Sequence, residues 1–140
     1  MPETTAETPQ GELAYQVVAM PADTNPSGDI FGGFIMGLMD LAGGVAAAAV
    51  ANGRVATVAV SNLSFHRPVK VGDVVCCYAR VLRTGRTSIA LQIETWVRRK
   101  GCADPLKVTA AEFIFVAVDR EGRPRPLLPD GEAGQASAGG

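Results

Sequence analysis

A single histidine, His66, stands in 140 residues. One imidazole excludes a multi-histidine metal site. It also leaves a Ser-His-Asp framework unsupported, since no serine sits on a nucleophile elbow. His66 lies in Phe65-His66-Arg67-Pro68, which reads as a solvated strand end outside the chemistry. Cysteine is sparse too. Cys76, Cys77 and Cys102 are odd in number and lack metal-ligand spacing. Neighbours such as Cys76 and Cys77 rarely bridge each other, so all three read as reduced thiols of a cytosolic protein, small hydrophobes in a core. An excess of charge of one sign is missing as well. Thirteen Lys and Arg face 14 Asp and Glu, a net charge of -1, so no global field gathers nucleic acid or an anionic membrane. A phosphate-bearing ligand would have to meet local cations. The polar, acidic start Met1–Gln10 lacks the charged and apolar blocks of a signal peptide.

What is abundant is apolar sequence, 47 % of the chain. From Ile30 to Gly53 the only charged residue is Asp40. That stretch is long enough to span a bilayer. A charge near its centre would cost roughly 2.5 to 3.5 kcal/mol on insertion scales, and its many Ala and Gly residues gain little from lipid. A helix buried inside protein, about Gly33–Ala51, is the better reading. Asn52-Gly53 ends it, because both residues tolerate the left-handed C-terminal conformation. Before it, Pro21–Asp29 is dense in turn formers and forms a loop.

The remainder reads as strands. Leu13–Met20 is short and apolar, and Val55–Phe65 is rich in Val. Pro68–Asp73 is a turn, Val74–Arg83 leads through Thr84-Gly85 into Arg86–Arg99, and Val108–Val118 follows. In Arg86–Arg99, Ile89, Leu91, Ile93, Thr95 and Val97 alternate with Ala90, Gln92, Glu94, Trp96 and Arg98, a period of two that gives a sheet one apolar face. The order is one strand, one long helix, then about four antiparallel strands, an α+β arrangement. One folded domain, 12–127, is expected between a disordered segment 1–11 and a disordered tail 128–140. A helix apolar all round needs more than one sheet to cover it, and a second copy of the chain is the simple answer.

Asp40 stands alone among Met36, Leu38, Met39 and Leu41. Asp is a poor mid-helix residue, and burying an unpaired carboxylate costs several kcal/mol. The residues alone leave two readings open: a functional carboxylate, or a structural one satisfied by partners. At the helix start, Gly32 and Gly33 would let a carbonyl oxygen approach free N–H groups and the positive dipole end, or would only make a tight turn. Asp29 could orient water or a substrate carbonyl, or cap the helix start. Gly37, Gly43 and Gly44 permit close packing on one side, against another helix or the chain's own sheet.

Asn25-x-x-Gly28-Asp29-Ile30-Phe31-Gly32-Gly33 followed by Met39-Asp40 resembles the start of the central helix in the YciA-type bacterial acyl-CoA thioesterases of the hotdog-fold superfamily. The resemblance continues through Gly53-Arg54-Val55, Phe65-x-Arg67-Pro68-Val69, Val71–Tyr78 and Phe115–Asp119, and covers about residues 12–127. It implies a hotdog fold, an antiparallel sheet wrapped around one long helix. It implies hydrolysis of short- to medium-chain acyl-CoA, with Asp40 as general base or as nucleophile. It also implies dimers with continuous sheets, commonly a trimer of dimers, and no cofactor beyond the coenzyme A of substrate and product.

Seven residues separate Gly33 from Asp40, about 10 Å along a helix. That is too far for both to reach one carbonyl carbon, so the oxyanion donors and Asp40 should come from different subunits. Asn25 could orient water or the thioester. Arg83, Gly85, Arg86, Thr87 and Ser88 supply guanidiniums, hydroxyls and a turn suited to coenzyme A phosphates, and Arg98, Arg99 and Lys100 are a second basic run. Ser61 and Asn62 could bond the pantetheine amides. Two competitors remain: an acyl-CoA dehydratase, for which His66 is badly placed, and a non-catalytic acyl-CoA-binding hotdog protein, which would not require a buried carboxylate.

Overall fold

The structure is a computed structural model that describes residues 7–127. The expectations of disorder over 1–6 and 128–140 lie outside the described residues. Residues 7–11 have no regular secondary structure, and the Gln10 backbone N–H donates to Glu94 Oε1 at 3.1 Å.

Strand β1 (Glu12–Val18) leads through a short 3-10 turn (Pro21–Asp23) to helix α1 (Gly32–Ala51). Strands β2 (Val55–Phe65), β3 (Val74–Thr84), β4 (Ser88–Arg98) and β5 (Leu106–Ala117) follow. They form one antiparallel sheet in the order β1-β3-β4-β5-β2. β4 therefore lies in the middle, and β2, although second in the chain, forms an outer edge.

The alternation expected in β4 is observed. Ile89, Leu91, Ile93, Thr95 and Val97 are all fully buried under α1. The opposite face is less polar in its surroundings than alternation alone suggests. Glu94 and Trp96 are also buried there, and the Trp96 indole N–H donates to Glu94 Oε1 at 2.9 Å. The β3–β4 hairpin turns over Gly85–Thr87, slightly later than expected, because the Gly85 N–H closes onto the Ser88 carbonyl at 2.9 Å. β1 ends two residues early, since the Ala19 N–H is drawn to the Asp73 carbonyl.

Helix α1 is long and apolar enough to cross a membrane, yet it buries Ile35, Leu38, Met39, Ala42, Gly43, Ala47 and Ala51 against the sheet. Asn52 takes the left-handed conformation (φ 53°) that stops it. Of the helix glycines, Gly43 faces the chain's own sheet: a methyl group there would lie 2.7 Å from the Phe115 ring. Gly37 faces open space. Cys76 and Cys77 are core residues, but Cys102 is exposed on a loop, so the reading of three buried thiols is corrected to two.

The outward face of α1 is apolar and bare. Met36, Leu41, Val45 and Val50 are 39 to 57 % exposed. The adjoining β2 exposes Val58, Val60 and Phe65, and nearly every residue of that strand is open to solvent. Among the described residues, nothing covers this apolar flank of helix face and free sheet edge.

Candidate active site

The site starts from how α1 begins. Its N-terminal flanking residue is Phe31 in extended conformation, with no side-chain cap. Asp29, expected to cap the helix, instead pairs with Lys70 Nζ at 2.5 Å, which is a correction. The reason is distance along the chain: Asp29 sits two residues too early, and the loop turns its carboxylate toward the 68–73 turn. Among the described residues, the first-turn N–H groups of α1, at Gly32 and Gly33, therefore have no side-chain acceptor and keep their positive end of the helix dipole.

The loop before them is tightly built. Asn25 Oδ1 accepts the backbone N–H of Ser27 at 2.9 Å and of Asp29 at 3.1 Å. That occupies the amide oxygen and leaves the Nδ2 hydrogens for other partners. Asn25, Gly32, Ile35, Phe65 and His66 line one cleft of about 360 Å³. The sequence reading placed His66 outside the chemistry; it stands on the rim of this cleft, at the end of β2.

Asp40 lies two turns along the helix, on the outward face. It is exposed in the single chain rather than enclosed. Its Oδ1 accepts the Thr57 hydroxyl at 2.5 Å. Thr57 was not among the expected site residues. It is one of three hydroxyl residues in a Val-rich strand, with Ser61 and Ser64, and its partner is 17 residues away, so nothing local marks it. Eight residues of helix, about 12 Å, separate Asp40 from Gly32, so one chain does not bring them to the same atom.

The remaining candidates do not join the cleft within one chain. Ser61 and Asn62 sit at an irregularity of β2, where Asn62 has a positive φ of 59°. Asn62 borders a shallow depression with Gln92 and Glu112. Arg83 pairs with Glu112 Oε2 at 2.7 Å. Arg86 is exposed at the hairpin tip; its carbonyl holds the Leu127 N–H, and the Thr87 carbonyl holds the Ala117 N–H. A methyl group on Gly85 would lie 2.7 Å from Ser88 Oγ, so the Ser88 hydroxyl would have to turn aside to admit one. Arg99, from the second basic run, is committed to Asp73. Among the described residues, no three His, Cys, Asp or Glu side chains cluster as metal ligands would.

A profile of the thioesterase superfamily matches residues 27–102. The acyl-CoA thioester hydrolase YciA of Salmonella typhimurium is 55 % identical over 128 residues, covering 89 % of this chain and 96 % of that protein. A hexameric thioesterase from Yersinia pestis superposes with a TM-score of 0.82 at 52 % identity, covering 89 % of this chain and all of the other. A hexameric broad-specificity acyl-coenzyme A thioesterase gives a TM-score of 0.84 at 44 % identity over 94 % of this chain and 91 % of that one; the same enzyme is known as an aspartate-to-alanine mutant. With a helix wrapped by a five-stranded antiparallel sheet and this degree of likeness along nearly its whole length, the chain belongs to the thioesterase superfamily, as a hotdog-fold member of the YciA acyl-CoA thioester hydrolases.

Proposed function

We propose that the protein hydrolyses short- to medium-chain acyl-CoA to free acid and coenzyme A at sites shared between two subunits. The observation that carries the reading is the Asp40 carboxylate, held by Thr57 on the uncovered flank of α1 beside the free edge of β2.

Geometry supports the sharing. Gly32 packs against Phe65 at one end of β2, and Asp40 bonds Thr57 at the other. When two copies pair antiparallel along β2 about a two-fold axis near Ser61, midway between those ends, Thr57 of one lies opposite Phe65 of the other. Asp40 then faces the partner's helix start. The same pairing extends the sheet and covers Met36, Leu41 and Val45. A trimer of such dimers agrees with the hexameric state of the related enzymes.

In this site the thioester carbonyl oxygen accepts N–H groups at Gly32 and Gly33, assisted by Asn25 Nδ2. Those donors stabilise negative charge as the carbonyl becomes tetrahedral. Asp40 of the partner subunit either takes a proton from the attacking water or attacks the carbonyl carbon itself. Collapse breaks the C–S bond, and coenzyme A leaves as thiol after protonation; where Asp40 is the nucleophile, water then opens the resulting Asp40–acyl anhydride, releasing the acid and restoring the carboxylate. Water is the only co-reactant, so the reaction needs no cofactor. Arg86, Thr87 and Ser88 meet the phosphates, with Arg83 joining when it leaves Glu112, and Ser61 and Asn62 face the pantetheine arm. The protein works in the cytoplasm, without a membrane or nucleic-acid partner. Butyryl- or hexanoyl-CoA mixed with the protein and a thiol reagent tests the activity: thiol release is expected, and its absence would end this reading.

A further inference from the structure

The uncapped start of α1 is a set of donors without a side chain to hold it. Two backbone bonds fasten it instead: Phe31 N–H to the Asp23 carbonyl at 3.1 Å, and Ile30 N–H to the Val69 carbonyl at 2.9 Å. The direction of the donors at Gly32 and Gly33 therefore depends on where Val69 presents its carbonyl. Val69 lies in the 68–73 turn and is buried.

That turn is folded around one carboxylate. Asp73 is 2 % exposed. Its Oδ2 accepts the Lys70 backbone N–H at 2.9 Å. The Arg99 guanidinium grips both its oxygens, with Nε at 3.1 and 3.3 Å and Nη2 at 2.9 Å. The same Nη2 reaches the Pro68 carbonyl at 3.0 Å. Residues 68 and 70, on either side of Val69, are thus both bonded to the Arg99–Asp73 pair. The Lys70 side chain then continues outward to Asp29, whose N–H is held by Asn25 Oδ1.

We infer that the Arg99–Asp73 pair is a positioning element for hydrolysis: it sets Val69, Val69 aims the start of α1, and Lys70 steadies the Asn25 loop. The inference rests on the proposed role of that helix start as the oxyanion site. A pair that served stability alone could hold any turn. This one is tied to the two segments that carry the oxyanion donors. Arg is required rather than Lys, because three acceptors in fixed directions match a planar fork and not a single ammonium.

Kinetics of Arg99→Ala and Arg99→Lys on hexanoyl-CoA test it. Arg99→Ala should lower kcat by about tenfold or more with KM within about twofold, the signature of an interaction realised in the transition state. Millimolar guanidinium should restore part of the loss. Arg99→Lys should fall between the two and carries the same test if Arg99→Ala does not fold. Leu91→Val, a change in the fully buried residue beneath the far half of α1, controls for lost stability and should keep kcat. Wild-type kcat in Arg99→Ala, or an equal kcat loss in Leu91→Val, would overturn the inference. Full turnover in Asp40→Asn would instead overturn the underlying reading of the site.

Discussion

Thr57 Oγ1 donates its hydroxyl hydrogen to Asp40 Oδ1 at 2.5 Å, joining the second strand to the outward face of the helix. The bond uses one oxygen of the carboxylate, and among the described residues the other has no hydrogen-bond partner. A base or nucleophile needs that division: one oxygen fixed in direction, one open to water or to the carbonyl carbon.

Asp40→Asn keeps the shape and the Thr57 bond but loses the negative charge. It should fold, bind coenzyme A and lose turnover by a factor on the order of 10³. Thr57→Val should lose roughly 10- to 100-fold, since the base remains but is no longer oriented. Steady-state rates with circular dichroism and coenzyme A titration check both. Activity retained in Asp40→Asn would mean another group does the chemistry.

Subunit sharing predicts complementation. Asn25→Ala damages the helix-start half of the site and Asp40→Asn the carboxylate half. A mixed dimer regains one intact site, so a randomised equal mixture should recover about a quarter of the activity that intact Asn25 and Asp40 support. Each variant alone should stay inactive or nearly so. Refolding the two together and measuring turnover decides it; no recovery would place the whole site within one chain.

The bare edge predicts assembly through β2. Val60 is 41 % exposed there, close to the inferred two-fold axis. Val60→Glu brings like charges together across that axis, a penalty of several kcal/mol in an apolar seam. Sedimentation velocity should show monomers with little turnover. An unchanged assembly would show that the chains meet along another surface.

Gly43 makes a stability prediction. A methyl group there meets Phe115 at 2.7 Å, and both are buried. Overpacking costs roughly 1 to 3 kcal/mol, offset by up to about 1 kcal/mol from the better helix propensity of Ala. Gly43→Ala should therefore lower the melting temperature by about 2 to 5 °C. A higher melting temperature would show that the Phe115 ring moves aside freely.

Cys77 makes a pH prediction. Burial pushes its thiol up to about 11, while the hydroxyl of Thr95 pulls weakly the other way. In the unfolded chain the thiol loses its proton near its ordinary value of 9.0. The folded state therefore holds the proton longer. Its contribution to stability is complete below pH 9 and is lost as pH rises to about 11. Urea unfolding of the parent and Cys77→Ala should converge across that window; parallel curves would contradict the raised value.

Much of the architecture was readable along the chain. The Val-rich run Val55–Phe65 is β2 residue for residue. Asn52-Gly53 ends α1 as expected, and the alternation Ile89 to Val97 is the core face of β4. Asp40 was visible because it is one charge in a long apolar helix. The partners were not visible. Asp73 and Arg99 stand 26 residues apart, and Arg83 and Glu112 stand 29 apart. A charged residue in a turn or hairpin looks the same whether it meets solvent, a phosphate or another side chain.

The sequence by itself determined the periodicities, the helix ends and the lone carboxylate, because each depends on residues within a few positions of one another. Tertiary structure alone decided that Thr57 meets Asp40, that Asp29 leaves the helix start uncapped, and that the second strand becomes an outer edge. Those outcomes follow from the order β1-β3-β4-β5-β2, and that order arises from contacts between distant segments competing for one core.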